Sequence, residues 1–151
     1  MAVILNASTS SGFIQTADTS GVLTLQSNGT NALSVSSSNL QFNSGYGSVA
    51  TAYGCRAWVN FNGTGTVAIR ASGNVSSITD NGTGNYTVNF TNAMPDANYA
   101  ANYSAARPSY TASDITLAIT AAPTTSALQI TTMNGAGTAQ DNLIVSVSVF
   151  R

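Results

Sequence analysis

Hydrophobic and polar side chains alternate along much of this chain, with the two-residue period that places successive side chains on opposite faces of a β-strand. Residues 143–150 carry Leu or Val at every odd position, so one whole face of this last segment is aliphatic. We therefore predict a central strand with a well-buried face there. In the segment that begins at residue 55, the predicted inward face consists of Cys55, Ala57, Val59 and Phe61.

About eight such runs follow one another after residue 53, separated by Gly, Pro or Asn-containing turns at roughly 10–14-residue spacing. A helical period of 3.6 residues is absent from the pattern. Short strands at regular spacing are typical of antiparallel sandwiches. The sequence therefore predicts an all-β protein, with an antiparallel, jelly-roll-like β-sandwich over residues 53–151.

Residues 21–42 form a different kind of segment, with two or three short predicted strands and an Asn28-Gly29 turn. Each strand has only one or two large apolar side chains and cannot bury a core by itself. Ordering residues 1–42 costs about 40–80 kcal/mol of backbone entropy, which a partner surface must offset. We therefore predict that residues 1–45 are an attachment and trimerisation segment, followed by a linker over residues 46–52. The residues expected to line the oligomer interface are Val22, Leu23, Leu25, Leu33, Val35, Leu40 and Phe42.

Composition argues against catalysis, because the chain has no His, Lys or Glu and only four Arg, five Asp and one Cys. General acid–base and nucleophilic chemistry depend mainly on these scarce side chains. Cys55 has no His to activate it, and its place beside Ala57 favours inert core packing. The segment 80–84 (Asp-Asn-Gly-Thr-Gly) favours a hairpin turn over a calcium loop, which would need more oxygen ligands. We expect no enzyme activity, no metal and no cofactor.

Charge and hydropathy also narrow the range of partners. A formal net charge of −1 with four scattered Arg argues against nucleic acid, which requires a basic patch. The longest apolar runs are far shorter than the roughly 20 residues of a membrane span. The N-terminal apolar run is too short for a signal peptide, and a single Cys fits a reducing compartment. We therefore expect assembly in a cytoplasm, without nucleic acid and without membrane insertion.

Four aromatic residues and one Arg are candidates for surface recognition, since exposed rings beside amides can stack on sugars or on another protein. These residues are Trp58, Tyr99, Tyr103, Arg107 and Tyr110. Packing of the Tyr rings within the sandwich or an oligomer interface is the favoured interpretation. For contact with a receptor, the best candidates are Tyr103, Arg107 and Tyr110, which we expect in loops.

Two segments resemble known proteins of tailed bacteriophages. Residues 55–99, which read CRAWVNFNGTGTVAIRASGNVSSITDNGTGNYTVNFTNAMPDANY, are similar to a module of tail-fibre and other virion proteins. Residues 21–42, which read GVLTLQSNGTNALSVSSSNLQF, are similar to shaft-like segments that precede such modules. Beyond about residue 104, only strand patterns are recognisable.

The resemblance implies a virion component, commonly a homotrimer, with a β-rich head on an N-terminal attachment segment and no catalytic residues. Its implied partners are its own copies, other virion proteins of the tail, baseplate or capsid, and a host-surface glycan or protein. The expected function is that of a short trimeric tail-fibre protein in host attachment. Because 151 residues are few for a fibre, a capsid cement, decoration or head-fibre protein bound through its N-terminal arm is the alternative. A polysaccharide depolymerase would need paired carboxylates and is disfavoured.

Overall fold

The computed structural model of this chain describes residues 21–36, 39–106 and 116–151. The chain divides into two compact units, Met1–Ala52 and Tyr53–Arg151. Every regular element among the described residues is a β-strand, and every strand pairing is antiparallel. The predicted all-β class and antiparallel pairing are therefore confirmed.

The first unit contains one four-stranded sheet in which each strand pairs with the next along the chain. Its strands are β1 (Leu23–Ser27), β2 (Thr30–Val35), β3 (Leu40–Phe42) and β4 (Ala50–Thr51). The turn between β1 and β2 has φ angles of 50° at Asn28 and 74° at Gly29. Two positive φ angles define the type I′ hairpin turn, which Asn-Gly adopts at low cost, so the predicted turn is confirmed.

The segment 46–52, expected to be a linker, is partly sheet. Ala50 pairs with Phe42 and Thr51 with Gln41, which forms β4 on the free edge of β3. The Ala52 amide also donates a 2.8 Å hydrogen bond to the Leu40 carbonyl. The composition rich in Gly and Ser concealed this strand, because pairing to an existing edge depends on backbone groups and requires no apolar pattern.

The second unit contains eight strands in two four-stranded sheets. Their bounds are β5 (Cys55–Asn62), β6 (Ala68–Gly73), β7 (Val75–Asp80), β8 (Asn85–Phe90), β9 (Ala100–Ala106), β10 (Thr116–Ile119), β11 (Ala127–Met133) and β12 (Ile144–Phe150). One sheet has the order β10-β11-β8-β7 and the other the order β6-β5-β12-β9. Within this second sheet, β12 pairs with both β5 and β9, as a central strand must.

Both sheets contribute to one buried core. The largest fully buried side chains include Phe61 of β5 and Tyr86 of β8, whose ring centroids lie 5.1 Å apart in an edge-to-face contact between the sheets. On β12, Val145, Val147 and Val149 are buried, which confirms the predicted aliphatic face. Two sheets that share one core in this way form the two-layer packing of a β-sandwich. The jelly-roll connectivity stays a prediction.

Cys55 does not pack in the core as its alternation suggested; its side chain is exposed. The pairing of β5 with β12 shifts register between Val149 and Phe150, so that Ala57 lies opposite Val149 but Cys55 lies opposite Phe150. This bulge inserts one extra residue into β5 and reverses the face on which the preceding residue lies. The period of two therefore fails at Cys55 for a reason that only the partner strand reveals.

Candidate functional site

The sheet of the first unit has one face that is almost wholly apolar and largely exposed. Cross-strand pairing places Leu23, Val35 and Leu40 in one row, and Leu25, Leu33 and Phe42 in the next. We call these six residues the N-terminal apolar face. The exposed fraction reaches 48% at Leu25 and 47% at Leu40. Val22, also expected at the interface, lies just before β1 and is 41% exposed.

The opposite face of this sheet is polar, although its side chains are better covered. Thr24, Ser34, Gln41 and Thr51 form a row across all four strands, and each is half-buried. No Asp, Glu, Lys or Arg occurs in residues 21–52. Contiguous exposed apolar surfaces are typical of interaction sites. The structure thus brings six of the seven predicted interface residues onto one surface.

Of the three residues proposed for receptor contact, the structure describes only Tyr103. Tyr103 lies on β9 opposite Val147, is half-buried and packs against the core of the second unit. Arg107 and Tyr110 lie outside the described residues. Receptor contact through these three side chains therefore stays a prediction, and half-burial leaves Tyr103 little ring surface for a ligand.

Tyr99 also belongs to the packing of the second unit. Its ring makes an edge-to-face contact with Phe90 at 5.8 Å, and its hydroxyl lies 3.1 Å from the Ala127 carbonyl oxygen. Burial raises the pKa of the Tyr99 hydroxyl. The ring therefore acts as a core side chain whose polar end is satisfied at the rim, which agrees with the favoured interpretation of the Tyr residues.

Trp58 is the remaining aromatic candidate, and it is 44% exposed on β5. Its side chain lies on the sheet face opposite the buried Val59, as the alternation predicted. In the sheet, Trp58 pairs with Gly73 on one side and with Ser148 on the other, and Ser148 pairs in turn with Asn102. We call these four residues the Trp58 row. Sequence reasoning missed three of them, because strand pairing between distant segments leaves no local signal.

The described acidic side chains all have local structural partners. Asp80 accepts a 2.9 Å hydrogen bond from the Gly82 amide in the β7–β8 turn. Asp141 accepts hydrogen bonds from the Gly84 amide and the Tyr86 hydroxyl. Asp96 pairs with Arg151, and the hydrogen bonds from that guanidinium and from the Asn98 amide hold the pKa of the Asp96 carboxyl below its usual 3.8. Asp18 and Asp114 lie outside the described residues.

Within residues 21–36, 39–106 and 116–151, no three His, Cys, Asp or Glu side chains lie close enough together to hold a metal ion. The same part of the chain contains no helix of the length and apolarity that a membrane span requires.

Comparison with solved structures finds a likeness to a bacteriophage tailspike. The phiAB6 tailspike, crystallised with three-repeated oligosaccharides of Acinetobacter baumannii surface polysaccharide, matches with a TM-score of 0.54 at 13% sequence identity. The match covers 98% of this chain and about 30% of the tailspike chain. At this identity, the likeness shows a shared fold. No family model matches the sequence, and no curated protein matches it.

Proposed function

We propose that this chain is a non-enzymatic structural protein of a bacteriophage virion, a short homotrimeric tail-fibre protein that takes part in attachment to the host surface. The observation that carries the proposal is the fold shared with the phiAB6 tailspike, whose crystal structure contains oligosaccharides of a bacterial surface polysaccharide. The resemblance of residues 21–42 and 55–99 to phage fibre modules leads to the same expectation.

The N-terminal apolar face supports self-association. An isolated antiparallel sheet commonly exposes one face, but that face is normally polar. Here the exposed face carries Leu25, Leu40 and Phe42, and no charged residue occurs in residues 21–52. Three copies related by a threefold axis would cover the three apolar faces against one another in a closed assembly. We therefore assign trimerisation and attachment to the rest of the virion to the first unit.

The arrangement of the acidic residues supports a role without catalysis. A glycoside hydrolase needs two carboxyl groups that face one bond of the substrate across a gap of about 5–10 Å. Asp80 and Asp141 are occupied by turn amides and by Tyr86, and Asp96 is paired with Arg151. Each of these carboxylates thus stabilises the fold, so binding, rather than cleavage, is the activity we assign.

Immunogold electron microscopy of phage particles that carry this protein tests the assignment. An antibody against residues 53–151 should label the end of the tail, because the second unit is assigned to the outward-facing part of a tail fibre. Gold over the capsid would replace the tail-fibre assignment with the alternative of a cement, decoration or head-fibre protein. Particles without label, in a preparation whose other virion proteins are detected, would refute the virion assignment itself.

A further inference from the structure

The Nε1 edge of the Trp58 indole lies over the neighbouring strand at Gly73. A Cβ atom built at Gly73 would overlap Trp58 Nε1 and would lie 2.9 Å from Cδ1 and 3.3 Å from Cε2. Three atoms of the five-membered ring therefore cover the space that any other residue would need for its side chain. Trp58 is nevertheless 44% exposed, so a large part of its ring surface remains open to solvent.

Polar side chains continue the Trp58 row across the sheet. Ser148 is half-buried and Asn102 is exposed, and neither side chain has a hydrogen-bonding partner within the described part of the chain. Because neighbouring strands lie about 4.8 Å apart, the row from Trp58 to Asn102 extends on the order of 10 Å. The next row is also polar, with Asn60 donating a 2.8 Å hydrogen bond to Ser146. An aromatic platform thus borders a strip of amide and hydroxyl groups.

The uncharged character of this surface limits what it can bind. The two rows consist of Gly73, Trp58, Ser148 and Asn102, and of Ala71, Asn60, Ser146 and Ser104, none of which carries a charge. Aromatic stacking on a nucleic acid requires a basic groove along the backbone, and these two rows contain no basic residue. The cores of protein interfaces are depleted in Ser, whereas Ser occupies three of these eight positions.

A saccharide without charged groups can contact both parts of this surface, the Trp58 ring and the amide and hydroxyl groups beside it. One face of a pyranose ring carries C–H groups that can pack on the indole, while its hydroxyl groups both donate and accept hydrogen bonds. The Asn102 amide can likewise donate and accept, and the Ser148 hydroxyl can do the same. In small-molecule binding sites, a small number of polar groups beside an apolar contact surface fixes the orientation of the ligand.

We propose that the Trp58 row is a binding site for a neutral saccharide, with Trp58 as the stacking platform and Asn102 and Ser148 as hydrogen-bonding groups. The biological role of this site, recognition of a host-surface glycan, rests on the proposed function in attachment. The site lies on the exposed face of this sheet, whereas Tyr103, next to Asn102 on β9, packs against the core on the other face. A shallow surface of this kind binds weakly at each copy, and threefold display strengthens it through avidity.

Binding can be tested on the intact chain, because Trp58 is its single tryptophan. The full-length protein is applied to an array of neutral and acidic bacterial surface saccharides, and each saccharide bound is then titrated while the Trp58 fluorescence is recorded. We expect saturable binding to neutral saccharides with a change in Trp58 emission. Replacement of Trp58 by Ala should weaken that binding by about tenfold or more, the loss of one aromatic stacking contact.

Two further variants separate the site from the fold. Asn102→Ala should weaken binding several-fold while leaving the thermal midpoint unchanged, so the test survives even if Trp58→Ala destabilises β5. Tyr46→Ala removes an aromatic ring that is 90% exposed in the first unit and should bind like the wild type. Wild-type protein that binds no neutral saccharide, or Trp58 and Asn102 variants that bind at full strength, would overturn the proposal. Saccharide binding by a protein that the gold labelling fails to find on virions would refute the proposed function and leave this site standing.

Discussion

The Tyr86 hydroxyl lies 2.8 Å from Asp141 Oδ1 inside the second unit, although the two residues are 55 positions apart. The same hydroxyl lies 2.9 Å from the Gly63 carbonyl oxygen, so its single proton is shared between two acceptors. Asp141 Oδ1 also accepts a 2.6 Å hydrogen bond from the Gly84 amide. One side chain thus connects β8 with the segments that lead into β12 and out of β5.

Removal of this hydroxyl should weaken the fold. We expect Tyr86→Phe to lower the free energy of unfolding by about 1–3 kcal/mol, because Gly63 and Asp141 lose a donor in a buried environment. Urea unfolding followed by circular dichroism measures the change. Tyr103→Phe is the matched control, since its hydroxyl has no hydrogen bond within the described residues and its removal should cost less than about 0.5 kcal/mol. Equal effects of the two variants would contradict this role of Tyr86.

Tyr86 should also limit stability at alkaline pH. Burial, followed by the hydrogen bond and the charge of Asp141, raises the pKa of Tyr86 well above its usual 10.0. In the unfolded chain, Tyr86 loses its proton near pH 10, whereas in the folded chain it keeps it, so the unfolded state binds fewer protons above that pH. The contribution of the protonated Tyr86 side chain to the free energy of unfolding is therefore complete below pH 10 and is lost as the pH rises further. Thermal midpoints from pH 9 to 11.5 should fall less steeply for Tyr86→Phe than for the wild type.

Stability should hardly vary between about pH 5.5 and 7.5, because the chain lacks His and no other side chain has its usual pKa in that window. A thermal midpoint that shifts by many degrees between pH 5.5 and 7.5 would contradict this expectation.

At acid pH, the ion pair between Asp96 and Arg151 should contribute to stability. The hydrogen bond from Arg151 lowers the pKa of the Asp96 carboxyl. The stability that this pair contributes is therefore present above pH 3.8 and is lost as the pH falls through the lowered pKa of Asp96. Melts at constant protein concentration should show a shallower acid decline for Asp96→Asn.

A charge on the N-terminal apolar face should prevent trimer formation. Leu25→Glu would place a carboxylate where three apolar faces are proposed to meet, and its burial without a partner is strongly unfavourable. Light scattering should therefore find a monomer. Gln26→Glu introduces the same side chain at the next, exposed position of β1 and should remain trimeric. A wild-type protein that is already monomeric at micromolar concentration, or a trimeric Leu25→Glu variant, would refute the proposed interface.

Gly84 should tolerate no side chain. Its φ is 68°, and a Cβ atom there would lie 2.5 Å from the Thr132 carbonyl oxygen and 2.6 Å from the Gln140 amide nitrogen, both backbone atoms. Gly137 has a similar φ of 77° but open space around a built Cβ. Both Ala variants should lose about 1–2 kcal/mol from the positive φ, and Gly84→Ala should lose a further 1–3 kcal/mol, about the cost of overpacking. Chemical denaturation of the two variants measures that difference directly.

Local chemistry let the sequence by itself determine several elements. The two-residue period of 143–150 predicted β12 and its buried face, and the Asn28-Gly29 pair predicted the first hairpin. The alternation also placed Trp58 on the side opposite Val59. In each case, the deciding interaction acts between residues a few positions apart, since side-chain period and turn conformation are properties of a short segment.

Strand pairing across long sequence separations decided the rest. Only the register with β12 shows that a bulge exposes Cys55, and only the pairing with β6 places Gly73 under Trp58. The short strand β4 likewise exists because β3 offers an unpaired backbone edge. These relationships depend on which distant segments meet and in which register. Because backbone hydrogen bonding is nearly independent of side chains, the sequence pattern of one strand does not disclose its partner.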